Sequence, residues 1–300
     1  MPPPANPNSI ERRPLGRTGA MVSPIGFGGI IVMNESERDA REWVAEAVAR
    51  GVNYFDVAPG YGDAEERLGP ALAPYRSDCF LACKTEKRTG PEARASLENS
   101  LRLMQTDHFD LFQLHAITEL AEVEAIFAPG SVMDVLVEAR REGKIRYLGF
   151  SAHSHRAAML AMDRFDFDTV LFPFSAKTWH ESEFGEAVHA RAVAKNMGCL
   201  ALKAMAWRKW PDDLPAAERR WAKAWYEPID DPDLAALALR FTLNLPVASA
   251  IPPGHWELFD LALRLAESGA LRNPLTAEEE AQLFGALNEG EPVFDRGAAR

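Results

Sequence analysis

The chain has 300 residues, of which 47% are hydrophobic and 26% are charged; this is an ordinary globular composition, long enough for one large α/β domain or two smaller ones. A net charge of −11 and a pI of about 5.2 argue against nucleic acid or an anionic membrane as the main partner, although a local Lys or Arg could still bind an anion. No apolar run approaches the roughly 18–20 residues that span a bilayer, so we expect a soluble cytoplasmic protein without a membrane partner.

The chain begins with a segment, residues 1–9, that is rich in Pro and Asn and that we predict to be a disordered leader. Residues 10–300 are expected to form a single domain. Residues 10–23 place glycines between short apolar pieces, which predicts a small hairpin. The pair Arg12-Arg13 has no apolar segment behind it, so it is neither a secretory nor a twin-arginine signal.

Short apolar runs then alternate with helical stripes. The predicted strands are 24–29, 53–57, 79–84, 109–115, 145–151, 169–172, 199–203 and 247–251. Helix starts are marked by Ser36, by Asp231 before Pro232, and by Thr276 with Glu279 three residues later. Longer loops are predicted at 116–130, 173–182 and 205–230, followed by a last amphipathic helix at 276–287.

These eight strand–helix units within about 250 residues predict a (β/α)8 TIM barrel with an N-terminal β-hairpin and a C-terminal extra helix. A doubly wound open sheet is the alternative. No G-x-G-x-x-G motif follows the first predicted strand, and the glycine cluster at 26–29 has the wrong spacing.

The three cysteines are Cys79, Cys83 and Cys199. They contain no C-x-x-C pair, and an odd number does not suit a disulfide framework. Cys79 and Cys83 lie four residues apart in a predicted strand and therefore point to the same face, which favours packing over metal binding. We expect a reducing compartment and no metal site.

Four consecutive predicted strands end in polar side chains: Asp56, Lys84, His115 and Ser151. Tyr61 follows the first of them in a Gly/Pro turn. Each residue alone has an ordinary explanation, since a strand-end Asp usually serves a turn and a lone His usually packs in a core. Because the carboxyl ends of neighbouring barrel strands converge, the four together predict a site at the barrel mouth.

This set of side chains is suited to proton transfer. A phenol has a pKa of about 10, and an ammonium about 4 Å away would lower it by roughly three units before desolvation is subtracted. Lys84 would thus bring Tyr61 towards the working pH of a general acid, with Asp56 holding Lys84 in place. Neutral His115 would orient a carbonyl. With no strong nucleophile and no metal cage, hydride from a nicotinamide is the natural second reactant.

The segments 56–62 (DVAPGYG) and 111–115 (LFQLH), together with Lys84, resemble the aldo-keto reductases and fill all four positions of that family's catalytic tetrad. The segment 143–151 (GKIRYLGFS) resembles its strand five, and the resemblance covers nearly the whole chain. It implies that Tyr61 is the proton donor, with NADPH as cofactor (NADH is possible) and a small-molecule carbonyl or sugar-like substrate. The cofactor contacts that it implies are Ser151, Lys203, Gly254 and Gly29.

The second half departs from the family's common pattern. Ala152 stands where Asn is frequent, the strand-six Gln is replaced near Phe172, and the stacking Tyr is missing around Leu202 and Lys203. Phe259 falls near the usual Arg for the 2′-phosphate. The segments 167–174 (FDTVLFPF) and 225–228 (WYEP) resemble a bacterial aldo/keto reductase-like branch, some members of which carry a C-terminal iron–sulfur module. No cysteine follows Cys199, so we predict no cluster.

Two functions from different classes follow. The first is an NAD(P)H-dependent oxidoreductase that interconverts a carbonyl and an alcohol. The alternative is a nucleotide-binding regulatory or subunit-like protein with little turnover, which the altered cofactor contacts favour and the intact tetrad disfavours. The three long loops should line the substrate pocket. Their aromatic residues either form an apolar wall of that pocket or merely pack the loops onto the barrel; they are Phe127, Trp179, Trp207 and Trp210. The oligomeric state is left open.

Overall fold

A computed structural model describes residues 10–182, 184–291 and 293–294, and for residues 180–182 it describes the backbone only. The predicted leader at 1–9 lies outside the described residues. Two strands near the start of the described chain, β1 (Arg13–Pro14) and β2 (Met21–Val22), pair in an antiparallel manner and form the predicted hairpin.

Eight parallel strands form the centre of the molecule, and their order in the sheet follows their order in the chain. They are β3 (Phe27–Gly28), β4 (Tyr54–Asp56), β5 (Phe80–Thr85), β6 (Phe109–Ile117), β7 (Ile145–Ala152), β8 (Thr169–Phe172), β9 (Gly198–Leu202) and, after a second hairpin of β10 (Ala206–Lys209) and β11 (Tyr226–Pro228), β12 (Ser249–Ile251). Gly26 N donates to Ala250 O at 3.0 Å, and Ala250 N donates to Pro24 O at 2.9 Å. These bonds join β12 to the chain just before β3 and complete the predicted (β/α)8 barrel.

Helices surround the barrel. They are α1 (Glu37–Ala49), α2 (Ala64–Leu72), α3 (Gly90–Leu103), α4 (Leu120–Ile126), α5 (Val132–Arg141), α6 (His155–Arg164), α7 (Ala176–Ser182), α8 (Glu186–Ala194), α9 (Pro232–Asn244), α10 (Trp256–Glu267) and the predicted C-terminal extra helix α11 (Ala277–Leu287), with 3-10 turns at Gly16–Thr18, Gly29–Val32, Ala73–Asp78 and Ala216–Glu218. The three predicted caps are confirmed: the side chains of Ser36, Asp231 and Thr276 each accept a bond from a backbone N–H of the first helical turn. Within the described ranges, no helix is long and apolar enough to cross a membrane.

The predicted loops contain more regular structure than their sequence indicated. The loop at 116–130 includes α4, whose buried Val123 and Ile126 are three residues apart and form a stripe too short to stand out in the sequence. The loop at 173–182 includes α7, and the loop at 205–230 includes β10 and β11. The first predicted strand, 24–29, is shorter than expected at both ends: Ile25 forms only an isolated bridge to Ala250, and a 3-10 turn begins at Gly29.

The floor of the barrel is closed by the N-terminal hairpin. Leu15 is fully buried and packs with interior residues such as Leu111 and Leu200. Gly16 has φ +51°, and a Cβ there would collide with the backbone of Met197 and Gly198. Only glycine therefore allows this close approach of the hairpin to β9.

The barrel interior changes from apolar to polar towards the carboxyl ends of the strands. On β6, Leu111 lies in the apolar interior cluster, and the alternation of the strand brings Gln113 and then His115 to the same side above it. The polar layer at the mouth therefore lies on an apolar layer below it.

The three cysteines are free and buried, as expected for residues that serve packing.

Candidate active site

Four residues that were predicted to meet, Asp56, Tyr61, Lys84 and His115, line one cavity of about 210 Å³ at the barrel mouth. Asp56 ends β4, and Lys84 and His115 lie near the carboxyl ends of β5 and β6. The turn after β4 is held by two backbone bonds of 3.0 Å, from Tyr61 N to Ala58 O and from Ala64 N to Tyr61 O. The start of α2 thus fixes the turn that carries the phenol over the mouth.

Lys84 links the carboxylate to the phenol. Its Nζ donates to Asp56 Oδ1 and lies 3.1 Å from Tyr61 Oη. Lys84 is 1% exposed and Asp56 is 2% exposed. Burial lowers the pKa of Lys84, but Asp56 and Tyr61 outweigh burial, so the pKa is raised above its ordinary value. The ammonium therefore stays charged at neutral pH.

Tyr61 shows a different balance from the one expected from the sequence. Burial raises the pKa of the phenol, Lys84 opposes this, and the net pKa is raised. We expected Lys84 to lower the pKa of Tyr61 towards neutral pH. That expectation was wrong, because desolvation of the buried phenol raises its pKa by more than Lys84 lowers it. A raised pKa keeps the phenol protonated at neutral pH, which is the form that a proton donor needs.

The second oxygen of Asp56 has two partners of its own, neither of which was predicted from the sequence. Tyr54 Oη lies 3.3 Å from Asp56 Oδ2, and Gln113 Nε2 donates to the same oxygen at 3.2 Å. Both side chains are fully buried beneath the cavity. Their positions could have been predicted from strand alternation, since Tyr54 is two residues before Asp56 and Gln113 two residues before His115.

His115 is a neutral imidazole next to the phenol. Burial, Lys84, Arg88 and Lys203 together lower the pKa of His115 to about 3. Its ring meets the ring of Tyr61 edge to face, with centroids 5.7 Å apart. His115 Nδ1 lies 3.2 Å from Glu86 Oε1, but the orientation is not that of a hydrogen bond. Because the ring is uncharged, the pair is not a salt bridge either.

Ser151 lies at an irregularity in the sheet that adjoins His115. The pairing of β6 with β7 shifts register between Leu114 and Ile117, and Ala116 has φ +55°. Ala116 N donates to Ser151 Oγ at 2.8 Å. The hydroxyl that was predicted to contact a cofactor thus lines the cavity and also supports the backbone that follows His115.

Lys203 follows β9 directly and lines the same cavity. Its Nζ lies 3.3 Å from His153 Nε2 and 5.3 Å from the ring centres of both Trp225 and Phe294. Burial and the charge of Lys84 lower the pKa of Lys203 to about 7. His153 was not singled out in the sequence, although it lies two residues after Ser151 and therefore on the same side of the strand end.

The two predicted glycine contacts differ. Gly254 lines the cavity, and a Cβ there would collide with Ile30. Gly29 is not among the lining residues, whereas its neighbours Gly28 and Ile30 are. A Cβ at Gly29 would lie 2.8 Å from Val57 Cγ2, so close packing explains this glycine.

The last part of the loop that joins β10 to β11, together with the first residue of β11, covers one side of the cavity, from Lys223 to Tyr226. Lys223 Nζ donates to Glu35 Oε1 at 2.6 Å and to Ile31 O at 2.9 Å. Lys223 N donates to His255 Nε2 at 3.1 Å. These bonds connect the covering segment to the loops after β3 and β12.

The predicted aromatic wall is wrong for this cavity, because none of the four aromatics proposed for it is a lining residue. Trp207 Nε1 donates to Ala286 O at 3.2 Å, and Trp210 Nε1 donates to Ala224 O at 2.8 Å. Trp207 thus ties the loop to α11, and Trp210 ties two parts of the loop together, so both tryptophans serve packing, which was the alternative expectation. The aromatic surface of the cavity comes instead from residues such as Trp225 and Tyr226.

In the part of the chain that the structure describes, no group of three or more His, Cys, Asp or Glu side chains could hold a metal ion.

The sequence model of the Aldo/keto reductase family matches residues 24–212. The chain is 34% identical over 157 residues to L-galactose dehydrogenase of Arabidopsis thaliana, covering 47% of this chain and 48% of that protein. It is 32% identical over 159 residues to 6-dehydroglucose reductase of Novosphingobium aromaticivorans, covering 46% of this chain and 50% of that one. The chain thus spans about half the length of the curated relatives that it matches.

Solved structures share the fold over most of their length. An aldo-keto reductase of Bacillus halodurans in its holo form superimposes with a TM-score of 0.71 and 22% identity, covering 96% of this chain and 99% of that one. An aldo/keto reductase of Brucella melitensis gives a TM-score of 0.65 and 15% identity, covering 93% of this chain and 100% of that one. At this identity the likeness concerns the fold.

Proposed function

The chain belongs to the aldo/keto reductase family, and from that premise we propose that it is an NAD(P)H-dependent oxidoreductase that interconverts a small-molecule carbonyl and its alcohol, with Tyr61 as general acid. One observation carries this proposal: the buried ammonium of Lys84 contacts Asp56 on one side and lies 3.1 Å from Tyr61 Oη on the other. Binding alone does not require this arrangement, whereas proton transfer does.

Each residue of the tetrad has a defined part in the proposed reaction. Tyr61, protonated at neutral pH, gives its proton to the oxygen of the carbonyl, and the charge of Lys84 stabilises the phenolate that is left. Asp56 holds Lys84 in place and charged. Neutral His115 donates a hydrogen bond to the same oxygen and orients it. A reduced nicotinamide, when bound, supplies the hydride.

The residues around the tetrad fit a nicotinamide cofactor. Lys203 brings to the cavity a buried amine that is charged below its pKa of about 7, and Gly254 keeps the cavity wall free of a side chain. We propose Ser151, Lys203 and Gly254 as cofactor contacts, with Gly29 a weaker candidate because it does not line the cavity. We propose NADPH as the cofactor, with NADH as a possible second one.

The names of two relatives point to a class of substrate. One is an L-galactose dehydrogenase and the other a 6-dehydroglucose reductase, so both names refer to sugars. We therefore propose a small carbonyl or sugar-like substrate. The three free, buried cysteines support a reducing compartment, and we propose the cytoplasm.

The test is a turnover assay with NADPH and NADH against a panel of aldehydes and aldoses, monitored by nicotinamide absorbance. We expect Tyr61→Phe to lower kcat by about 100-fold or more, because a positioned acid contributes about 10²–10⁴-fold. Its Kd for NADPH should stay within about twofold of the unsubstituted protein. Tyr75→Phe, in a 3-10 turn away from the cavity, is the matched control and should keep full activity.

The alternative function gives a different result in the same assay. Tight nucleotide binding without turnover of any substrate would favour a regulatory or subunit-like protein. Equal activity in Tyr61→Phe and in the unsubstituted protein would remove Tyr61 from its proposed role.

A further inference from the structure

We propose that Lys203 and His153 form an anion-binding site within the cavity, which holds a carboxylate or phosphate group of a bound ligand. The proposal deepens the proposed function, because it states the chemistry of a group that the substrate or the cofactor must carry. It rests on the position of Lys203, on its neighbours and on the unused hydrogen-bonding capacity of its ammonium.

Lys203 is a buried cation without a carboxylate partner. The residue is only 6% exposed, and among the described residues no Asp or Glu oxygen lies within 4.0 Å of its Nζ. The other lysines of the cavity differ, since Lys84 pairs with Asp56 and Lys223 with Glu35. Burying an unpaired charge is costly, which is why the pKa of Lys203 falls to about 7; an anion bound beside its Nζ would offset that cost and stabilise the charged form.

The backbone of Lys203 is strained in the conformation that directs its side chain into the cavity. Lys203 has φ +62°, a left-handed conformation that is uncommon for a residue with a Cβ. Strain of this kind persists where the surrounding structure enforces it, and it is concentrated at functional sites. A glycine would relieve the strain but would remove the charge.

His153 contacts one N–H group of the Lys203 ammonium and leaves the other two without a hydrogen-bond acceptor among the described residues. When Lys203 is charged its ammonium has no lone pair, so His153 Nε2 then accepts the bond and the proton of the neutral ring lies on Nδ1. Burial and Lys203 lower the pKa of His153 to about 2, so the ring is uncharged. An ammonium has three N–H groups, and within the described ranges only the one towards His153 has a hydrogen-bond acceptor. The other groups described near Nζ are the rings of Trp225 and Phe294, both 5.3 Å away, so two N–H groups have no N or O acceptor and remain for an anion.

Two sources could supply that anion. One is the diphosphate of a nucleotide cofactor, and the other is a carboxylate on the substrate. The protein as a whole carries a net charge of −11, so its overall field does not attract anions. Recognition must then come from local contacts such as those of Lys203.

The first experiment uses simple probes. Sodium pyrophosphate and sodium benzoate are titrated into the full chain by calorimetry, with Lys203→Met as the test variant. Lys87→Met, which removes an exposed charge, is the control. We expect at least one probe to bind about tenfold or more weakly to Lys203→Met, and to bind the control variant and the unsubstituted protein alike. Equal binding to all three proteins, or no binding of either probe at millimolar concentration, would overturn the proposal.

A second measurement keeps Lys203 in place, in case Lys203→Met does not fold. The Trp225 ring lies 5.3 Å from Lys203 Nζ, so an anion bound there should change its fluorescence. The change on adding the probe should disappear in Trp225→Phe. A fluorescence change of the same size in Trp225→Phe would place the bound probe elsewhere and count against the site.

Two further comparisons identify the source. If the anion is the cofactor diphosphate, Lys203→Met should raise the Kd for NADPH about tenfold and affect all substrates equally. If it is a substrate carboxylate, the variant should lose about tenfold in kcat/KM for 4-carboxybenzaldehyde relative to benzaldehyde, with the Kd for NADPH unchanged. Probe binding does not require turnover, so an inactive protein that still binds anions through Lys203 would contradict the proposed function but not this site.

Discussion

Asp56 divides its two carboxylate oxygens between different tasks. Oδ1 faces Lys84, while Oδ2 accepts from the neutral donors Tyr54 and Gln113 at 3.3 and 3.2 Å. A carboxylate with only Lys84 as partner could rotate about its bond. The two donors below fix the plane of the carboxylate, and through it they position the ammonium that lies 3.1 Å from Tyr61 Oη.

Tyr54→Phe should therefore reduce activity without a direct contact to the reacting groups. It removes the hydroxyl at Asp56 and keeps the ring, so the core stays filled. We expect kcat to fall about tenfold, since hydrogen bonds to charged groups are among the stronger ones, with KM within about twofold. Steady-state kinetics on the purified variant measures both.

The matched control is Tyr147→Phe, which deletes the same atom elsewhere. The Tyr147 hydroxyl donates to Thr18 O at 2.7 Å, next to the N-terminal hairpin. This variant should keep its kcat. An equal fall in both variants would mean that the effect is a general one on the core, and an unchanged kcat in Tyr54→Phe would show that Gln113 alone positions Asp56.

At the level of elements, the junction of β6 and β7 decides where His115 points. The register shift between Leu114 and Ile117 breaks the regular ladder beside His115, and the hydroxyl of Ser151 accepts from the freed Ala116 N. β6 supplies the imidazole, and β7 supplies the bond that holds the irregular backbone after it. The site is thus a property of the strand pair.

Ser151→Ala should destabilise this junction. We expect the free energy of unfolding to fall by about 0.5–1.5 kcal/mol, because Ala116 N loses its acceptor in a partly buried place. Ser151→Thr keeps the oxygen and should lose less. Urea denaturation measures the change, and Ser249→Ala is the control, since the buried Ser249 hydroxyl has no hydrogen-bond partner among the described residues.

The same variant separates the two roles of Ser151. A variant that is as stable as the unsubstituted protein but binds NADPH more weakly would make Ser151 a cofactor contact alone. Loss of stability with unchanged NADPH binding would make it a structural support alone.

For the molecule as a whole, Lys203 links the site to stability. Its pKa is lowered from 10.5 to about 7 in the folded protein. Between these values the unfolded chain binds more protons than the folded one, so stability rises with pH. The cost of burying the charged form is fully present below about pH 7 and fades as the pH rises towards 10.5.

Lys203→Met should therefore stabilise the protein most at low pH. We expect a gain of a few kcal/mol near pH 6.5 that shrinks by up to about 1.4 kcal/mol for each pH unit above 7. Urea denaturation of both proteins at pH 6.5, 7.5, 8.5 and 9.5 gives the difference at each pH. A difference that does not change with pH would mean that Lys203 titrates normally.

The sequence predicted the barrel well because eight apolar runs mark eight buried strands, and three helix caps were read correctly from single residues. The meeting of the four predicted residues at one cavity could be foreseen because three of them lie at the ends of neighbouring strands and the set matches a family motif. The short helix α4 and the hairpin β10–β11 were missed, since neither has a long stripe of apolar residues. The direction of the Tyr61 pKa shift was missed because it depends on burial, which the sequence does not state. His153 was not predicted as a site residue, because its contact with Lys203 joins positions 50 residues apart in the chain.

The N-terminal hairpin has a consequence for how the chain is made. Arg13 donates to the backbone oxygens of Leu243 and Val247, and the first of these lies 230 residues further along the chain. At about 5–20 residues per second, a ribosome needs roughly 10–50 s to produce that partner. Until its partners in the barrel interior have been made, Leu15 cannot be buried there. The N-terminal hairpin is thus made before most of the barrel and is among the last parts of the described chain to complete its contacts.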